Sequence, residues 1–302
     1  MILLTILLLA VMEVSLSFDN AVVNALVLKG MSPVWQRRFL TWGILIAVFG
    51  MRLVLPVVIV SAAGGGNVAD VAVLALTDAA EYGRRLTAAH TAIASFGGMF
   101  LLMVFLHFIC DEAKDVHWLG WFERRLAGLG RMEAVEIGLA IAVLLVAPGA
   151  SVFAGLLGLL CYIAVKGAMG LCGEGDDPAA CVSGKQGLVG FLYLEILDAS
   201  FSLDGVIGAF AMTNDIVAIM IGLGIGALVI RSMTVRMVRI GTLAEFIYLE
   251  HGAHWGIGAL AVLMLGSTSW HVPEVVTGLV GAGCILASLA SSVRHNRRLA
   301  SA

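Results

Sequence analysis

Apolar residues in this chain come in long unbroken runs instead of the stripes of a water-soluble helix or the alternation of a strand. Runs near the ~20 residues needed to cross a bilayer fall at about 1–28, 39–63, 88–109, 187–212, 214–231, 252–268 and 273–293. A further run, from about 134 to 171, is too long for one crossing, and Pro148-Gly149-Ala150 in its middle reads as a turn between two shorter spans. The pattern predicts an all-α membrane protein of about nine transmembrane helices. The polar stretches at about 64–87 and 110–133 carry mixed charge and read as amphipathic surface helices. The N-terminus, MILLTILLLAVMEVSLSFDNA, has the length of a signal peptide but neither a basic start nor a small-residue cleavage site, and it reads as a retained first helix.

Composition sharpens this picture. With 60% hydrophobic residues, 13% charged and a mean hydropathy of +1.01, the chain has too little polar surface for a soluble fold of 302 residues. The net charge of -3 and the absence of a basic patch exclude nucleic acid as a partner. With the N-terminus outside, fourteen Lys and Arg residues fall in cytoplasmic segments and only Arg84 and Arg85 outside, with Arg52 and Lys166 within helices. Arg231 and Lys166 read as snorkelling residues at cytoplasmic helix ends. The chain forms one transmembrane domain over 1–302. It divides into a first repeat (1–109), a connecting loop and helical hairpin (110–186), a second repeat (187–293) and a basic cytoplasmic tail (294–302). The five cysteines show no metal-binding spacing and are expected to be free thiols.

Two acidic segments align position by position: Glu13-Val14-Ser15-Leu16-Ser17-Phe18-Asp19 and Asp198-Ala199-Ser200-Phe201-Ser202-Leu203-Asp204. They lie in spans one and six, an odd offset, so they cross the membrane in opposite directions, as in the inverted repeats of secondary transporters. An ionised carboxylate facing lipid costs about 2.5–3.5 kcal/mol, so Glu13, Asp19, Glu195, Asp198 and Asp204 must face a cavity, share protons or hold a cation. Six residues of helix turn about 600°, which leaves the two acids of each copy about 120° apart. They converge if the helix unwinds between them, near Ser15, Ser17 and Asn20 or Ser200, Ser202 and Gly205, or if acids of the two helices meet where those helices cross.

A site of carboxylate and amide oxygens suits hard divalent ions such as manganese, calcium or magnesium; zinc and copper sites recruit imidazole or thiolate. Arg52, mid-span, is a candidate counter-charge. Asp111, Glu112, Asp115 and His117 after span three, with Glu250, His251 and His254 before span eight, form either a cytoplasmic vestibule or ordinary solvated loop charges. Gly173-Glu174-Gly175-Asp176 matches the short signature of intramembrane aspartyl proteases but lies in a polar loop without its partner motif. The 36 glycines, including Gly222-x-Gly224-x-Gly226, read as sites of close helix packing.

Glu13-x-x-Leu16-Ser17-x-Asp19-Asn20 and Glu195-x-x-Asp198-x-x-Phe201-Ser202-x-Asp204 resemble the two motifs of the TerC family, a branch of the lysine-exporter-like superfamily. HFICDEAKDVHW and YLEHGAHW resemble a TerC-like branch. The resemblance implies a multi-pass inner-membrane protein that exports manganese, with Glu13, Asp19, Asn20, Glu195, Asp198 and Asp204 as ligands. Asp204-Gly205-Val206-Ile207 departs from the commoner family pattern. The expected function is therefore secondary-active export of a divalent cation, most simply manganese, in exchange for protons. The alternatives are a calcium/proton antiporter on the same residues, or an accessory protein that holds metal for exported enzymes. The expected partners are the metal ion, protons and the lipid bilayer, with an oligomer left open. Neither enzymatic activity nor a prosthetic group is expected.

Overall fold

A computed structural model describes residues 2–64, 66–111, 114, 116–128, 133–172, 184–241, 245–270 and 272–300, apart from some side chains within helices, among them that of Asp204. Among the described residues there are helices and connections but no strand. The helices are α1 (Ile2–Leu16), α2 (Phe18–Lys29), α3 (Pro33–Leu45), a π-helical stretch (Ile46–Val54), α4 (Leu55–Gly64), α5 (Val68–Thr77), α6 (Ala79–Ala88) and α7 (His90–Cys110). They continue with α8 (Gly120–Ala127), α9 (Glu133–Val146), α10 (Val152–Cys172), α11 (Gly184–Met212), α12 (Ile216–Ile240), α13 (Leu249–Ser267) and α14 (Glu274–Ala300).

Among the described residues five helices are long and apolar enough to cross a membrane, and a sixth crossing arises if α1 and α2, bent by 55° at Ser17, count as one span. Large apolar side chains cover the outside of the bundle, among them Leu3, Val146, Leu171 and Leu279. An apolar exterior of this extent belongs in lipid, and the chain is a helical membrane protein. Of the remaining predicted crossings, α9 is only 14 residues long, α11 contains Glu195 and Asp198, and α13 opens with a polar turn. The polar stretch at 64–87 forms the short helices α5 and α6, each capped by a side chain, Asn67 accepting from Ala69 N and Asp78 from Glu81 N.

α1 packs along α12, and α11 packs against the π-helical stretch. α7 lies along α13 at the centre, with Gly97, Gly98 and Gly258 at points of close approach to Met264, Leu265 and Phe105. The connections gather at two ends. At one end Thr268 and Ser269 donate to the Pro148 carbonyl, and α6 packs by Tyr82 on Phe210. At the other, Trp35 packs on Phe191, His254 on Phe108 and Tyr248 on His295.

Candidate functional site

The acids of the repeat lie at the crossing of α1, α2, α11 and α12. The first copy is broken: Ser17 leaves helical geometry at φ -104°, ψ 16°, and its hydroxyl donates to Glu13 Oε1 at 3.3 Å. The break starts a new helix at Phe18, and the Asp19 carboxylate accepts the Asn20 N–H at 2.9 Å. An acid in the first turn of a helix also meets the positive end of its dipole. The second copy does not break, because α11 runs without interruption through Asp198 and on to Met212. The predicted unwinding therefore occurs in one copy only, and the two segments meet where Asn20 of the first bonds Asp198 of the second.

Glu13, and Glu195 together with Asp198, are each paired with an arginine from the next long helix. Glu13 pairs with Arg52, which also donates to the Ala47 carbonyl at 2.6 Å. Arg52 lies in the π-helical stretch, and Pro56, which has no N–H to offer the Arg52 carbonyl, follows it. Arg231 on α12 donates to both Glu195 oxygens at 3.1 Å and to Asp198 Oδ2 at 3.1 Å. It also reaches the Phe39 carbonyl at 3.1 Å and lies over the Phe39 ring. Both arginines are buried, which accords with the need of a buried guanidinium for several acceptors.

Arg231 corrects the sequence reading. It is not a snorkelling residue at a helix end but, at 1% exposure, the largest fully buried side chain described. Spacing alone does not reveal this, since Arg236 and Arg239 on the same helix sit nearer its end. Lys166, the other residue read as snorkelling, lies 3.5 Å from His107 Nδ1, whose ring meets the buried Glu136 at 3.4 Å.

Two close approaches relate the aligned segments. Asn20 donates to Asp198 Oδ1 at 2.6 Å, while a Cβ placed on Gly205 would lie 3.1 Å from Glu13 Oε2. In the alignment Asn20 corresponds to Gly205 and Glu13 to Asp198, so the two contacts exchange when the copies are exchanged. Glycines make room for the ion pairs in the same reciprocal way. Gly226 on α12 lies against Glu13, and Gly43 on α3 against Arg231 and Glu195.

A cavity of about 710 Å³ reaches this crossing from the end that carries Arg84, His90, Asn214 and Trp270. Glu13, Ser17 and Asp19 line it, together with Gly205 of α11. Glu195, Asp198 and Arg231 are not among its lining residues, so the Arg231 cluster closes the crossing on the far side. Among the described residues no three His, Cys, Asp or Glu side chains are close enough together to hold a metal. Asp204 belongs to α11, but its side chain lies outside the described set. The predicted ligands are thus gathered in one region but tied to arginines and an amide, not to one another.

The two loop clusters that the sequence reading grouped as a vestibule also meet. His251 is buried and its Nε2 lies 2.8 Å from the Val116 carbonyl. His254 stacks on Phe108 at 3.7 Å, and Lys114 lies over the same ring at 3.9 Å. Burial holds the Lys114 ammonium below its ordinary 10.5, against the opposing pull of Glu123 and Asp111. Asp111 and Glu250 are exposed and His117 half-buried, while Glu112 and Asp115 lie outside the described residues, as does the Gly173–Asp176 motif. The organising residue is one the sequence did not single out. Glu123, 0% exposed, accepts from Trp118 N at 3.0 Å, Leu119 N at 3.3 Å and Trp255 Nε1 at 3.0 Å, and lies 3.5 Å from His251. These contacts pack the loop at 116–119 against α8 and α13.

Comparison with known proteins gives one family: the profile of DUF475, described as "Protein of unknown function (DUF475)", matches residues 18–299. The chain belongs to the DUF475 family. The match begins at the first residue of α2, so it takes in Asp19, Asn20, Glu195, Asp198, Asp204, Arg52 and Arg231 but not Glu13. Nothing in it shows TerC, and the resemblance drawn from the two acidic motifs is set aside. Short acid-serine patterns recur wherever a broken or polar helix crosses a membrane, and they are a weaker signal than a match over most of the chain. No curated protein and no solved structure matches.

Proposed function

We propose that this protein is a secondary-active transporter that moves a hard divalent cation across the cell inner membrane in exchange for protons, through the crossing of α1, α2, α11 and α12. The observation that carries the reading is the reciprocal pair of contacts, Asn20 to Asp198 and Gly205 to Glu13, at the closed end of a one-sided cavity. Two halves that exchange around a buried polar crossing are what alternating access requires.

Charge gives the cargo class. Four described carboxylates at the crossing, Glu13, Asp19, Glu195 and Asp198, face two guanidiniums, Arg52 and Arg231. The excess of two negative charges is balanced by one divalent cation or by two protons, and a site that alternates between those loads is an exchanger. The donors are carboxylate and amide oxygens, which suit manganese, calcium or magnesium. The preference for manganese over calcium rested on the resemblance and falls with it. In this reading Arg231 holds the inner acids while the cavity is open, and releases them when a cation arrives at Asp19 and Glu13.

Nine crossings with the cavity mouth outside give the membrane orientation that the bias of Lys and Arg favours. The loops at the cavity end carry Arg84 and Arg85, while Lys29, Arg37, Arg38, Lys114, Arg124, Arg125, Arg294, Arg297 and Arg298 fall on connections and helix ends of the other side.

The test is flux in proteoliposomes of purified protein, comparing manganese, calcium, magnesium and zinc across a pH gradient, with Asp19→Asn and Asp198→Asn as controls. Flux of a hard divalent ion, coupled to protons and abolished by both substitutions, is the expected result. Metal binding without flux of any ion would overturn the reading in favour of an accessory protein that holds metal.

A further inference from the structure

The helix period places Asn24 one turn beyond Asn20 on the same face of α2. Asn24 is 0% exposed, and neither its Oδ1 nor its Nδ2 has a hydrogen-bond partner. Asn20 Oδ1 is also unpartnered, and so is the hydroxyl of Ser202, buried one turn beyond Asp198 on α11. A buried polar group left unsatisfied costs about 1–3 kcal/mol, and each such group in a folded protein calls for an explanation. Here three side chains, on the two helices that Asn20 and Asp198 join, hold four unsatisfied atoms.

These residues lie in order. Asp19 lines the cavity. Asn20, next along, is bonded to the acid that Arg231 clamps. Asn24 lies one turn further along α2, toward its Lys29 end. Thr234, one turn beyond Arg231 on α12, donates to the Ala21 carbonyl at 3.3 Å and flanks the same stretch with a further hydroxyl.

We propose that Asn20 and Asn24 line the inner half of the ion's path, and that Asn24 is a transient ligand for the divalent cation after it has passed the Arg231 clamp. This rests on the transport reading above. Amide carbonyls serve hard cations as ligands, and a neutral oxygen holds the ion weakly enough to let it leave, where another buried carboxylate would trap it. Ser202 offers a hydroxyl to the same ion on the cavity side of the clamp.

The experiment has two arms. In the first, Asn24→Cys is introduced into a chain whose native cysteines, Cys110, Cys161, Cys172, Cys181 and Cys284, are replaced by serine, and a membrane-impermeant thiol reagent is applied from each side. Labelling from the Lys29 side, accelerated several-fold by manganese or by Arg231→Gln, is expected. No labelling from either side under any of these conditions would overturn the proposal. In the second arm, Asn24→Val in the otherwise native chain is expected to lower cation flux at least about tenfold with thermal stability and cation binding from the cavity side unchanged, and Asn24→Asp to keep binding but slow release. Flux of Asn24→Val equal to the native rate would overturn it. If the native protein moves no cation, the transport reading fails, and the labelling arm still decides whether the seam opens to water.

Discussion

Asn20 Nδ2 and Asp198 Oδ1 meet at 2.6 Å across 178 residues of sequence, and their counterparts in the repeat, Gly205 and Glu13, meet on the other side of the same crossing. The asymmetry lies in what fills the second contact. Asn20 bonds its acid, while Gly205 leaves the Glu13 carboxylate to Arg52 and Ser17 and to the cavity. The Asp198 carboxylate is held by Asn20 and Arg231, whereas Glu13, itself buried, borders the cavity.

Arg231→Gln is expected to destabilise the protein by about 3–5 kcal/mol, because it leaves Glu195 and Asp198 buried without their cation. Glu195→Gln in the same chain should recover part of the loss. Thermal unfolding in detergent measures both, and a double-mutant cycle that shows no coupling would remove Arg231 from its role as the clamp.

Substitutions of glycine should rank by the space that each has. A Cβ on Gly226 would lie 2.5 Å from Glu13 Cβ, and on Gly205 3.1 Å from Glu13 Oε2, whereas Gly167 has nothing within 4 Å. Gly226→Ala is expected to cost about 1–3 kcal/mol, Gly205→Ala less, and Gly167→Ala to be neutral or stabilising by about 0.5–1 kcal/mol. The order of unfolding midpoints checks this.

Glu123→Ala removes the acceptor of Trp118 N, Leu119 N and Trp255 Nε1 and leaves buried donors unpaired. The loop at 116–119 should then become a site of proteolytic cleavage in the folded protein, with Trp255→Phe, which removes a single donor to Glu123, producing a smaller effect. Limited proteolysis with mass analysis of the fragments reads the difference.

Burial holds Lys114 below its ordinary 10.5. A lysine whose folded value is depressed carries more protons unfolded than folded over the interval between the two values, so its contribution to stability rises with pH through that interval, up to about 10.5. The unfolding midpoint of the native chain should therefore gain relative to Lys114→Met as pH rises toward that value, and parallel pH profiles of the two proteins would contradict the placement of Lys114 over Phe108.

The sequence by itself determined that the chain is helical and lies in a membrane, because runs of about 20 apolar residues have no other solvent. It also determined where the polar crossing lies, since buried carboxylates are costly enough that five within apolar runs, four of them aligned in two copies, mark one region. Arg52 was legible for the same reason. Arg231 was not, because an arginine a few residues from Arg236 and Arg239 resembles a helix-end anchor until the neighbouring helices show how deep it lies. Glu123 sat in a polar stretch where acids are ordinarily solvated, and only the fold of loop 116–119 over it makes it the most buried acid described. Nor did the matching serines in the two copies say that only the first helix breaks, at Ser17. Family membership, too, needed the whole chain, since two short motifs pointed elsewhere. Local pattern reports what each segment requires of its surroundings, solvent or partner. Which partner satisfies a buried charge is decided by helices that meet from opposite halves of the chain, and that choice exists only in the tertiary structure.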